Sequence, residues 1–266
     1  MILIGIPTFN SAWSLKQVFK SIKNLTIDHK QLIILLVDNT SKDNTIAIIR
    51  RFIRKNREEF SGIATIQHPH LKGFSYKTYT KYSGNVNIIN AMNIIRDYSM
   101  RHDLDTVILG SDCLMPPDAI QKLYQCDSDI AAGYTVTQLS HDQYVLPIFF
   151  YNKEKNIYEP WKKSFIGKKY HEIVLSSQER RSPPAECDGA GNGLMLIKKD
   201  VFWKVGWEES NTPGYDVLFC MKAKSKGFTV KFHPALFYDH LHYIYKVDES
   251  RKNFRIEIMG RRRTWY

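Results

Sequence analysis

The stretch QLIILLVD (31–38) places six apolar residues in a row, Leu32 to Val37, and stops on Asp38. A strand with one wet face alternates apolar and polar residues, so an unbroken run predicts a strand covered on both faces, as in a parallel sheet. ILIGI (2–6) is a second such run. Between them, SLKQVFKSIKNL (14–25) puts Leu15, Val18, Phe19 and Ile22 at i, i+3, i+4 and i+7. That spacing predicts a helix, and Ser14 with Gln17 predicts a capping box at its start. The unit is β-α-β.

The rhythm continues with a helix within 43–60 (Ile46, Ile49, Ile53), a strand at 63–67, a helix at 86–100 (Ile88, Met92, Ile95) and a strand at 106–109. Such alternation implies an α/β fold, right-handed and doubly wound, with a mostly parallel central sheet flanked by helices. Past residue 110 the pattern loosens. Strands are expected at 130–137, 143–150, 193–198 and 228–232, a long polar surface loop over 152–186, and a helix from about 215 to Gly227. The tail 241–266 carries GRRRTWY and shows no period.

Composition excludes several classes. The chain has 266 residues, 43% hydrophobic and 24% charged, as in a globular protein able to bury a large core. No run approaches the ~18 apolar residues of a membrane span. MILIGIPTFN lacks a basic n-region and reaches Pro7 early, so it reads as a first core strand and not a signal peptide; the expected location is cytoplasmic. Cys113, Cys126, Cys187 and Cys220 are widely spaced and form no C-x-x-C pair, so a zinc site is not expected and no disulfide framework is suggested. Net charge is +11, which favours an anionic partner without choosing among nucleic acid, acidic lipid and phosphorylated small molecules.

Two predicted strands lead to a carboxylate, Asp38 after LIILLV and Asp112 after VILGS. In open α/β sheets ligands sit outside the carboxyl ends of the strands. Each aspartate is also a good turn former or helix cap, and that reading stays open. The loop GIPTFNSAWS has no G-x-G-x-x-G pattern, and no Walker-type loop is present, so neither a dinucleotide nor a wrapped triphosphate is indicated. A divalent cation bridging a diphosphate to carboxylates needs no such loop.

The order of segments resembles the family 2 glycosyltransferases of GT-A fold. IPTFNSAWSLKQVFKSI is similar to their opening, LLVDNTSKDNT to their Val-Asp-Asp-Gly-Ser segment, and SGNVNIINAMN to a Gly-x5-Asn-Ala element. VILGSDCLMPP stands where the family has Asp-x-Asp, CDGAGNGLMLIKKD where it has Gly-x-Gly, and GYDVLFCMKAKSKGFTVKFHPALFYDH where it has Glu-Asp followed by Pro-x5-His. The likeness spans about residues 2–242. It implies one domain over 1–240, with a nucleotide-binding half (1–112), an acceptor-side half (113–240) and a basic tail (241–266).

The resemblance further implies a donor that is a UDP-, GDP- or dTDP-linked sugar and a glycan, lipid-linked or protein acceptor, with no nucleic acid bound. Transfer would proceed with inversion and need Mn²⁺ or Mg²⁺ held by Asp112 and His240. Pro7, Thr8, Asn10, Asp38, Gly84, Asn90, Ser111 and Asp112 fall on nucleotide-sugar positions, and Asp216 on the general base. Two departures stand out: Gly110 replaces the first acid of Asp-x-Asp, and Tyr215 replaces the Glu before Asp216. They leave a degenerate, non-catalytic relative as an alternative. A basic nucleic-acid-binding protein is the other, although no RNA-binding aromatic pair appears.

Softer candidates carry two readings each. His240 and His242 are metal ligands or surface histidines, and Asp216 is a base or an acid favoured by the helix dipole. Asp43 fits a helix start, Asp188 with GAGNG a substrate contact or tight packing, and Trp203 and Trp207 the core. Arg261 to Arg263 are a solvated end or a contact with anionic membrane lipids.

Overall fold

Successive residues of a strand face opposite ways, so a run apolar at every position has to be covered on both sides. The computed structural model, which describes residues 1–69, 83–140, 143–155, 157–160, 165–166, 181–210 and 214–241, supplies that cover. Strands β1 (Ile2–Thr8), β2 (Leu32–Asp38), β3 (Gly62–Gln67) and β4 (Asp105–Leu109) are parallel, in the order β4-β1-β2-β3. Ile4, Ile6, Ile34, Leu36, Val107 and Leu109 pack with Leu15, Val18 and Ile22 of α1 (Leu15–Lys23) and Ile49 of α2 (Thr45–Asn56). The alternate residues Leu3, Leu35, Val37 and Ile108 pack on the other face with Met92 and Ile95 of α3 (Ser83–His102). Phe19 and Phe52 stack at 3.9 Å and join α1 to α2. The doubly wound expectation holds.

The second half adds β5 (Cys113–Leu114), α4 (Ala119–Gln125), β6 (Ile130–Tyr134), β7 (Thr137–Ser140), β8 (Gln143–Val145) and β9 (Ile148–Asn152). It continues with β10 (Ile157–Pro160), β11 (Phe165–Ile166), β12 (Ala185–Glu186), β13 (Gly189–Ala190) and β14 (Leu194–Ile197). Last come α5 (Lys199–Lys204), α6 (Tyr215–Ser225), β15 (Val230–Phe237) and β16 (Asp239–His240). The central sheet runs β12-β15-β6-β14-β4-β1-β2-β3, with β14 antiparallel to β4 and β6 and β15 parallel to β6. Both halves of the chain therefore share one sheet. β14 and the edge strand β12 run antiparallel to the rest of a mostly parallel array.

Three sequence expectations are corrected. The strand read at 143–150 is two strands, because Pro147 has no N–H to continue a ladder. The stretch 152–186, read as a loop, holds β10 and β11, which pair with β9 and β8, and β12 on the sheet edge. Trp203, read as core, is 62% exposed, whereas Trp207 is buried as expected. Gly227, at φ +87, stops α6 where a side chain would be strained.

Polar clamps tie α5 and the segment after it to α3. Asn93 Nδ2 donates to the Trp207 carbonyl at 2.9 Å, and its Oδ1 accepts the Trp207 N–H at 3.1 Å. Arg96 Nε donates to the carbonyls of Phe202 and Val205 at the end of α5, favoured by the helix dipole. The Trp207 ring then stacks on Phe219 of α6, centroids 4.0 Å apart. Asn93→Ala should cost about 2 kcal/mol in urea unfolding, since it strands two backbone groups; Asn93→Asp, which keeps the acceptor, should cost less.

Candidate active site

Parallel neighbours deliver their loops to the same end of a sheet, so the loops after β1, β2 and β4 meet. Hydroxyl groups join them. Ser11 Oγ lies 2.9 Å from Ser111 Oγ, and Ser14 Oγ donates to the Ser111 carbonyl at 2.7 Å. Ser14 is fully buried and makes no side-chain cap on α1, so the expected capping box with Gln17 is absent. Its hydroxyl holds the Asp112 loop instead. On the other side, Asn10 N–H donates to Ser41 Oγ and Asn10 Oδ1 accepts the Lys42 N–H, with Asn10 at φ 46. Asn tolerates that left-handed turn better than most residues.

Asp38 sits fully buried beneath this junction. Thr8 Oγ1 and Ser41 Oγ donate to its Oδ1 at 3.2 and 2.5 Å, and the Ser41 N–H donates to Oδ2 at 2.9 Å. A buried charge has to be paid for by such donors. Asp43 behaves as the helix-start acid expected, its carboxylate accepting from Thr45 N–H and Oγ1 and from Ala12 N–H. Pro7 is partly buried on β1, and Asn90 partly buried on α3. Gly84 lies in the first turn of α3.

Asp112 follows β4 by three residues. The pairing of β16 with β5 sets His240 opposite Cys113, and Leu241 N–H donates to the Asp112 carbonyl at 2.8 Å. His240 Nε2 consequently lies 3.1 Å from Asp112 Oδ2. Cys113 Sγ is 3.7 Å from Asp112 Oδ1, and one donor atom from each of the three residues lies within 4.8 Å of the others. Donors around a four-coordinate divalent ion stand roughly 3.3–3.7 Å apart at ordinary bond lengths. With all three donor atoms inside 4.8 Å, the set is a candidate site for a divalent cation. His242 and Arg261 to Arg263 lie outside the described residues.

Asp216 begins α6, close to this centre. Burial pushes its carboxyl above the ordinary range, opposed by the N–H groups of Val217, Asp216 and Asn192. Tyr215 hydrogen-bonds Asn192 through its hydroxyl. Its phenol is pushed up by burial first, then by the Asp216 charge, with smaller shares from Asp112 and Cys113. Both acids are thus near enough to act on one phenol. Asp188 is paired with Lys224 and accepts the Tyr151 N–H at 2.8 Å; burial raises it, but these partners hold it below the usual carboxylate range. In GAGNG, a Cβ on Gly193 would stand 2.4 Å from Tyr238 Oη, so close packing accounts for that glycine.

Residues 3–77 match the family described as Glycosyl transferase family 2. The fold is GT-A. S. aureus TarS 1–349 in complex with UDP-GlcNAc superposes with TM-score 0.52 at 12% identity over 92% of this chain and 61% of that one. GalNAc-T7 with UDP, GalNAc and Mn²⁺ gives 0.59 at 14%, over 90% and 43%. The Pyrobaculum calidifontis mannosyltransferase PcManGT with GDP-Man and Mn²⁺ gives 0.54 at 12%, over 90% and 56%. The chain spans about 60% of the length of TarS 1–349 and less of the other two proteins. No curated protein matches the sequence.

Sequence reasoning missed Ser11, Ser14, Ser41 and Asn192 as site-building residues. The clustering of hydroxyls in NSAWS, NTS and GS was the available signal. Gly110 has a steric reason: a Cβ there would lie 2.8 Å from Cys113 Sγ and 3.3 Å from Asp112 Oδ1. Gly110→Ala should therefore lower stability by about 1–3 kcal/mol. Adding Cys113→Ala should make the double variant more stable than the two separate losses sum to, as measured by thermal denaturation.

Proposed function

We propose that this GT-A chain transfers one sugar, of hexose type, from a nucleoside-diphosphate sugar to an acceptor hydroxyl with inversion. The observation that carries the reading is the Asp112–His240 pair, 3.1 Å apart at the crevice end of β4, beside the Tyr215–Asp216 helix start. The relatives' complexes with UDP-GlcNAc, GDP-Man and Mn²⁺ support a donor and ion of this class. Residues 1–112 would serve the nucleotide, 113–240 the acceptor, and the tail 241–266 a contact with anionic membrane lipid.

Asp112 and His240 would hold Mn²⁺ or Mg²⁺, which when bound offsets the charge growing on the leaving diphosphate. Thr8, Asn10 and Ser111 belong to the loops that would grip the nucleotide, and Pro7, Gly84 and Asn90 would add to that grip. Asp38 organises two of those loops through Thr8 and Ser41, and contact with the nucleoside would require Ser41 to yield. Asp216 would accept the proton of the acceptor hydroxyl as its oxygen attacks. A carboxyl raised by burial is the stronger base once ionised. A non-catalytic nucleotide-binding relative is the second reading, favoured by Gly110 and Tyr215.

Thermal-shift titration with UDP, GDP and dTDP, each with Mn²⁺, tests the donor class. One nucleotide at 100-fold excess over its Kd should add ~2.7 kcal/mol, and Asp112→Asn should remove the Mn²⁺-dependent part. Silence from all three nucleotides would end the reading.

Asp216→Asn separates base from structural acid. Its kcat should fall by about 10²–10⁴ with nucleotide affinity retained. Wild-type kcat/KM should rise with pH through the raised Asp216 pKa and be lost as pH falls through it. Stability should change in the opposite sense. Because the folded pKa lies above the unfolded one, the ionised carboxylate weakens the fold at pH 7, so the Asn variant should melt higher there; the gain should vanish below the unfolded carboxylate pKa of about 3.9. Bound nucleotide without turnover in wild type would favour the non-catalytic relative.

A further inference from the structure

We infer that Cys113 is a third ligand of the Asp112–His240 cation site, and that its sulfur turns the site's preference from Mg²⁺ toward zinc-like ions. The inference rests on the proposed metal site and assigns a residue to it that the resemblance does not.

Three independent features point the sulfur at the site. Residues directly opposite in an antiparallel pair project from the same face, and Cys113 is opposite His240. Asp112, next in the chain, brings its Oδ1 to 3.7 Å from Sγ while its Oδ2 stands 3.1 Å from the imidazole. Gly110 leaves the space that Sγ occupies, since a Cβ at that position would come within 2.8 Å of the sulfur. The residue that removes the first acid of the Asp-x-Asp pattern thereby admits a thiol.

The donor chemistry then decides the ion. Mg²⁺ favours a near-octahedral shell of oxygens and usually keeps several waters. One carboxylate, one imidazole and one thiol give O, N and S donors, the mixture that suits Zn²⁺ and Co²⁺. On binding, Sγ releases its proton to solvent and forms the metal–sulfur bond, so one proton leaves per ion bound at this ligand. The open coordination positions would remain for diphosphate oxygens.

Cobalt substitution of the full chain, with the nucleotide that scores in the thermal-shift screen or with UDP if none does, reads the sulfur directly. The expected result is a sulfur-to-cobalt charge-transfer band in the near ultraviolet that disappears in Cys113→Ser and persists in Cys126→Ser. Zn²⁺ affinity relative to Mg²⁺, from competition titration, should fall about tenfold or more in Cys113→Ser, the range reached by changes at metal sites. Circular dichroism checks that both variants fold. Cobalt bound without the band, or a band untouched by Cys113→Ser, overturns the assignment of Cys113 and leaves the Asp112–His240 site standing. No binding of Co²⁺, Zn²⁺ or Mn²⁺ to folded protein overturns the metal site itself, and this inference with it.

Discussion

The crevice depends on a hydrogen bond between loops a hundred residues apart. Ser14 is buried at the foot of α1, and its hydroxyl holds the Ser111 carbonyl at 2.7 Å. The adjacency of β1 and β4 brings the two loops into reach, but sheet pairing ends at Gly5–Ile108 and leaves the following backbone to find partners. A buried carbonyl without one would cost about 1–3 kcal/mol. Ser14 and the Ser11–Ser111 contact supply the closure, which sets where Asp112 leaves the sheet.

The same economy governs the β2 loop. Asp38 is a carboxylate with no solvent exposure, and its donors come from β1 and from the turn that follows it. Removing a donor would leave a charge in a low-dielectric interior, so the conformations of Thr8, Asn10 and Ser41 are tied together. One acid thereby orders the loops after β1 and β2. A contact with ligand is then a second use of a group whose first use is architectural.

The first half of the fold was legible because its strands are apolar at every position and its helices keep a 3.6-residue period. Leu15, Val18 and Ile22 are buried as that period requires. The second half was not, because β10 to β13 are two to four residues long, too short for a period to develop. Asp112 and His240 were legible as a pair only through the resemblance, since nothing in residues 112 and 240 themselves predicts that β16 would pair with β5. Ser14 illustrates the limit. Its position before an apolar helix matches a cap in every local respect, and a tertiary partner takes the hydroxyl instead.

Gly110 and Tyr215 look like separate losses of acid, yet both lie around the Asp112–Asp216 region. Like charges ~5 Å apart cost about 3 kcal/mol at an effective dielectric of ~20. A carboxylate at either position would raise that repulsion against Asp112 or Asp216, whereas a phenol pushed up by burial and by the Asp216 charge stays neutral. The region thus keeps two acids, Asp112 and Asp216, where the pattern it resembles has four. The cost falls on attraction for a hard cation, which weakens with every oxygen removed. A thiol donor at Cys113, as proposed, would offset that loss without adding a fixed charge, since a free thiol is neutral near pH 7.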